Sequence, residues 1–146
     1  SSYAGSLSGK VMKAVYIERF GGPEVLTYGD VPDPVPAEDE VLIDVAAASV
    51  NAADWKQRRG GYAGLVLPHI LGRDVSGTVV VVGAAVTAFR PGDEVFAVSM
   101  PGQEGGYAEK IALKDRRPVP ERSRTARRSA PFQSALADDQ DRQTRR

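Results

Sequence analysis

Leu67-Pro68-His69-Ile70-Leu71-Gly72-Arg73-Asp74-Val75-Ser76-Gly77-Thr78-Val79-Val80-Val81-Val82-Gly83 opens with a turn at Pro68, passes the charged pair Arg73 and Asp74, and runs into four consecutive valines. Such an apolar run between turn residues predicts a buried strand. A charged pair at the mouth of a buried strand is either a binding site or a structural clamp, because desolvated charges persist only with partners in good geometry.

Strand-like segments lie on both sides of this stretch. Downstream, Pro91-Gly92-Asp93 forms a turn in which Pro presets φ and Gly accepts a positive one. Glu94–Ser99 then reads as a strand, Gly102–Gly106 as a loop and Tyr107–Leu113 as a last strand. Upstream, Met12–Phe20 and Val25–Val31 read as two strands separated by Gly21-Gly22-Pro23. Pro32, Pro34 and Pro36 favour an extended connector over a ladder strand. Glu40–Ala48 begins as an alternating strand and ends in Ala46, Ala47 and Ala48, small enough for another backbone or a flat ligand to approach. Ser49–Gly61 reads as a short helix, capped by Ser49 or Asn51 and ended by Gly60 and Gly61. Short strands at turn-separated intervals point to a Greek-key or barrel-like body.

Composition narrows the function. With 42% apolar residues in 146, one packed domain is expected. Nineteen basic residues balance nineteen acidic ones, which argues against nucleic acid or an acidic membrane as partner. There is no cysteine, so disulfides, thiolate catalysis and Cys-ligated zinc are excluded. No apolar run approaches a membrane span and Ser1–Lys10 lacks signal-peptide features, so a soluble, cytoplasmic location is expected.

The charge is unevenly spread. Residues 1–115 carry 10 basic and 15 acidic side chains, whereas residues 116–146 carry nine Arg and four acidic ones. The apolar pattern stops near Arg116, and a segment of that kind buries too little surface to offset its chain entropy.

Met12-Lys13-Ala14-Val15, Phe20–Leu26, Ala47–Asp54, Leu71–Gly77, Pro91–Val95 and Gly105-Gly106-Tyr107-Ala108-Glu109 fall in the order found in the medium-chain dehydrogenase/reductase superfamily. Over about residues 12–120 the chain most resembles its zinc-independent, NADPH-dependent quinone oxidoreductases and alkenal or enoyl reductases. The resemblance implies a mainly β fold: a GroES-like, partly open β-barrel with short helices. The family's Rossmann domain is expected to be missing, since no Gly-rich phosphate-binding turn follows Pro120. The expected organisation is a flexible leader over 1–11, the GroES-like catalytic domain over 12–116, and an Arg-rich tail over 117–146 that is disordered or foreign to the family. The break near Arg117 reads as a truncation or a change of reading frame.

The same resemblance implies hydride transfer from the nicotinamide of NADPH to a quinone or enone, with this domain supplying the substrate wall and being inactive alone. The competing reading is a non-catalytic module that associates, as a homodimer, through the face the Rossmann domain normally covers. Zinc alcohol dehydrogenases place Cys, His and Glu ligands where this chain has Asn51, Arg73 and Asp74, and a proton-relay hydroxyl where it has Ala53. Asn is a poor zinc ligand and Arg repels the metal, so no metal is expected.

Each candidate residue also has a structural reading. Asn51 is a candidate for substrate and cofactor binding, or a helix cap. Trp55 either stacks on a planar substrate or belongs to the core. Lys56 is a cofactor-side candidate or a solvated charge. Arg73 faces substrate or clamps Asp74. Asp54 and Asp74 are expected to be structural, Asp54 holding the local turn or pairing with Arg73. Tyr62 and Tyr107 read as packing residues; His69, the only histidine, invites a general-base reading, but it lies in the turn after Pro68 with no evident partner in sequence.

Overall fold

The computed structural model describes residues 9–100, 102–103, 105–115 and, for the backbone alone, 126–128. Most of the expected leader and most of the expected Arg-rich tail lie outside the described residues. Eight strands are seen among those described: β1 (Val11–Ile17), β2 (Thr27–Pro32), β3 (Glu40–Ala48), β4 (His69–Ile70), β5 (Asp74–Val82), β6 (Glu94–Val98), β7 (Lys110–Lys114) and β8 (Ala126–Arg128). Among the described residues there is one α-helix, α1 (Ala52–Arg58), and no helix long and apolar enough to cross a membrane.

The strands form two sheets, ordered β2-β1-β4 and β7-β3-β5-β6-β8, neither closed on itself. The fold is therefore mainly β and GroES-like, without a closed barrel. All the strand pairs are antiparallel.

The valine strand is not buried on both faces. Along β5, Val75 and Val79 are buried and Ser76 is exposed, the period of two of a one-sided sheet. The bulge between Val79 and Val81 then reverses the phase, so Val81 is exposed and Val82 packs against the core. Its inward residues join Val41 and Ile43 of β3, Val95 and Ala97 of β6, Ile111 and Leu113 of β7, and Val86. Fully burying an aliphatic side chain such as Ile43 contributes about 1.5–3 kcal/mol. This cluster is the main core under the larger sheet.

Several boundaries differ from the sequence expectation. Pro23–Val25 is a 3-10 turn, so the second strand starts at Thr27. His69 lies in β4, opposite Ile17, rather than in a turn. Tyr107 precedes β7 and bridges the two sheets. Its carbonyl accepts the Val15 N–H at 2.7 Å, Ala108 pairs with Ala14, and the Glu109 carbonyl accepts the Val45 N–H at 2.8 Å. Ala126–Arg128, within the segment read as lacking structure, pairs with the outer edge of β6.

Where β3 approaches β5, two glycines permit contacts that a side chain would block. A Cβ on Gly77 would collide with the Asp44 carbonyl oxygen, and one on Gly83 with the carbonyl oxygens of Ala37 and Glu38 just before β3. The register of β3 against β5 also shifts twice, between Leu42 and Ile43 and between Val45 and Ala47. The second shift leads the strand out into the loop that carries Ser49 and Asn51.

Candidate functional site

The β3–β5 ladder runs on past β3, because the Ser49 N–H donates to the Asp74 carbonyl at 3.1 Å. That places Ser49 beside the first residue of β5. Its hydroxyl donates to Asp74 Oδ2 at 2.9 Å, and Asn51 Nδ2 donates to the same oxygen at 2.6 Å and to Ser49 Oγ at 3.0 Å. Ser49, Asn51 and Asp74 thus form one hydrogen-bonded cluster at the mouth of β5.

Asn51 is also the N-cap of α1, with extended backbone (φ −118°, ψ 158°). Its N–H donates to Asp54 Oδ2 at 2.7 Å, which satisfies a donor at the helix start in the manner of a capping box. Asp54 is almost wholly buried, at 3% exposure, and the same Oδ2 accepts the Tyr107 hydroxyl at 2.7 Å. Burial, and then the Asp54 carboxylate, hold the Tyr107 phenol protonated well above the ordinary tyrosine range. Tyr107 is therefore more than a packing residue.

Arg73 does not pair with Asp54, and it does not clamp Asp74. Among the described residues its Nη2 makes a long 3.4 Å bond to the Ser99 carbonyl, and its buried Nε has no hydrogen-bond partner. The physical reason is strand geometry. The Arg73 carbonyl accepts both the N–H and the hydroxyl of Ser99, at 2.7 and 2.9 Å, extending the β5–β6 ladder and turning the guanidinium toward β6. Asp74, the next residue, points to the other side of the pleat.

A groove of about 300 Å³ opens beside this cluster, lined by Ala47, Ala48, Ser49, Asp74, Val75, Ser76, Phe96, Ala97 and Val98. Its surface is almost entirely apolar, with Ser49 and Asp74 at one end. The alanines leave room for a flat group. Phe96 and Val98 project outward from β6, 48% and 45% exposed. Asn51, Trp55, Lys56 and Arg73 do not line the groove, although Asn51 bonds Ser49 and Asp74 at its end. Trp55 is exposed on α1, with Lys56 Nζ 5.7 Å and Arg59 Cζ 5.4 Å from its ring centre. Among the described residues no three His, Asp or Glu side chains gather as a metal site.

Phe96, Val98 and Ser49 were not singled out from sequence as site residues. The alternation of Glu94, Phe96 and Val98 does carry the signal for the first two, since it puts them on one face of a strand. Tyr107 lies 53 positions from Asp54, and no local pattern connects them.

Residues 37–121 match the alcohol dehydrogenase GroES-like domain family, and the chain belongs to it. It is 45% identical over 108 residues to a quinone oxidoreductase from Lama guanicoe, covering 73% of this chain and 32% of that one. The human quinone oxidoreductase is 43% identical over the same length. Among solved structures, the quinone oxidoreductase from Coxiella burnetii superposes with a TM-score of 0.73 at 32% identity, covering 84% of this chain and 38% of that one. The chain therefore spans about a third of the length of the curated relatives it matches.

Proposed function

We propose that this chain forms the substrate side of a nicotinamide-dependent reductase of quinones or enones, with NADPH as hydride donor. The groove carries the reading: an apolar floor of alanines and a wall of Phe96 and Val98 suit a flat ring, and Ser49 and Asp74, both bonded by Asn51 from outside the lining, give its end a polar edge. The similarity to quinone oxidoreductases supports the same class.

The cofactor supplies a hydride, which with one proton reduces a quinone to its hydroquinone. The protein's part is to orient the acceptor ring and exclude water. The alanine floor leaves a nicotinamide or quinone ring free to lie flat, and the residues present fit such a group. Zinc has no role in this reading. At the positions matching zinc ligands stand an amide nitrogen donating to a carboxylate and a guanidinium with no lone pair to offer.

The test is a titration of the isotopically labelled chain with 1,4-naphthoquinone, followed by NMR. Shifts confined to Ala47, Ala48, Ser49 and Phe96 are expected. Their absence at millimolar quinone would sink the proposal. By itself the chain is expected to bind the quinone without oxidising NADPH at a rate typical of the family.

The half-exposed Phe96 and Val98 favour one second reading, a non-catalytic module that dimerises through this face. Sedimentation separates the two, since a persistent dimer that excludes the quinone supports the module.

A further inference from the structure

We infer that Tyr107 is a positioning residue for the binding groove, acting through Asp54 on Asn51. This inference rests on the proposed quinone-binding reading for its consequence, but its geometry stands apart from it. Tyr107 sits in the segment that joins the two sheets, its N–H bonded to the Leu71 carbonyl at 2.9 Å and its carbonyl to the Val15 N–H. Its ring packs against the cluster of Ile17, Val25 and Leu71. At Gly72, where φ is +100°, a Cβ would lie 2.5 Å from Tyr107 Cδ1, so backbone and ring are in close contact. The phenol is thereby fixed by the body of the fold rather than by its own loop.

From that anchor the chain of bonds is continuous. The hydroxyl donates to Asp54 Oδ2, the same oxygen accepts the Asn51 N–H, and the Asn51 amide reaches Asp74 and Ser49 at the end of the groove. Asp54 Oδ1 has no hydrogen-bond partner among the described residues. The two donors on Oδ2 are therefore the hydrogen bonds the structure shows for this buried carboxylate. A carboxylate out of water needs its donors. Without the hydroxyl, Asp54 is left with the Asn51 N–H, and it swings toward water or another donor. That movement carries the N-cap of α1 and the amide of Asn51 with it.

The experiment compares the wild-type chain with Tyr107→Phe, which keeps the packed ring, and with Asp54→Asn, which keeps the volume of the acid. Amide hydrogen exchange and the Asn51 side-chain resonances are read by NMR, and 1,4-naphthoquinone is titrated in parallel. Both variants are expected to speed exchange at the Asn51 N–H about fivefold and to shift the Asn51 Nδ2 signals, while Ile43 and Val79 keep their protection. Quinone affinity is expected to fall by about the same factor. Unchanged Asn51 exchange and side-chain signals in Tyr107→Phe would overturn the inference whatever the quinone does. Equal loss of protection at Asn51, Ile43 and Val79 would also overturn it, since that marks a merely structural tyrosine. If Asn51 responds as expected and the wild-type chain binds no naphthoquinone, the positioning role stands and the quinone-binding reading fails.

Discussion

Asn51 Nδ2 and Asp74 Oδ2 lie 2.6 Å apart, which ties the start of α1 to the first residue of β5 across 23 positions of sequence. The bond has a charged acceptor and is reinforced by the Ser49 hydroxyl on the same oxygen. Asp74→Ala removes the acceptor for both donors. We expect it to lower unfolding free energy by about 1–3 kcal/mol in a urea titration. Ser76→Ala, on the exposed face of the same strand, should change stability by no more than about 0.5 kcal/mol.

The raised titration of Tyr107 makes a pH prediction whose sign is fixed. Its folded-state value lies above its unfolded one, near 10, so the folded chain holds this proton more tightly. The stabilisation is fully present below about pH 10 and is lost as pH rises toward the folded value. The stability gap between wild type and Tyr107→Phe should be constant through neutral pH and narrow above about pH 10. A gap that widens there would contradict the Tyr107–Asp54 bond.

Gly77→Ala is expected to cost about 3 kcal/mol or more, measured by thermal or urea unfolding. The added methyl would meet the Asp44 carbonyl oxygen, a backbone atom held in the β3–β5 ladder. Gly64→Ala, with open space around it but φ of +83°, should cost only the backbone strain, about 1 kcal/mol.

Phe96→Ala should leave the fold nearly untouched, because the ring is half exposed. It should weaken naphthoquinone binding about three- to tenfold, the worth of one aromatic contact. Trp55→Ala, outside the groove, should leave that affinity unchanged.

Much of the larger sheet was legible in sequence because its strands carry a clean period of two. Val41 and Ile43, and Val95 and Ala97, face inward as their spacing demands. The valine run of β5 misled for the opposite reason. Consecutive valines hide the alternation, and only the neighbours Ser76 and Thr78 betray an outward face. Within the site, Asn51 was legible from its place before a helix. The fate of Arg73 was not, because its direction is set by the ladder bonds to Ser99, 26 positions away. Tyr107 was hidden for the same reason: a contact between residues 53 positions apart leaves no trace in local pattern.

The shift of register between Val45 and Ala47 gives β3 an odd step just before the groove. Ala46 is the surplus residue at that step, so removing it would straighten the ladder and still leave Ala47 opposite Ser76 and Ala48 opposite Val75. Along this strand, deleting Ala46 should disturb the groove less than deleting a residue paired on both sides, such as Ile43.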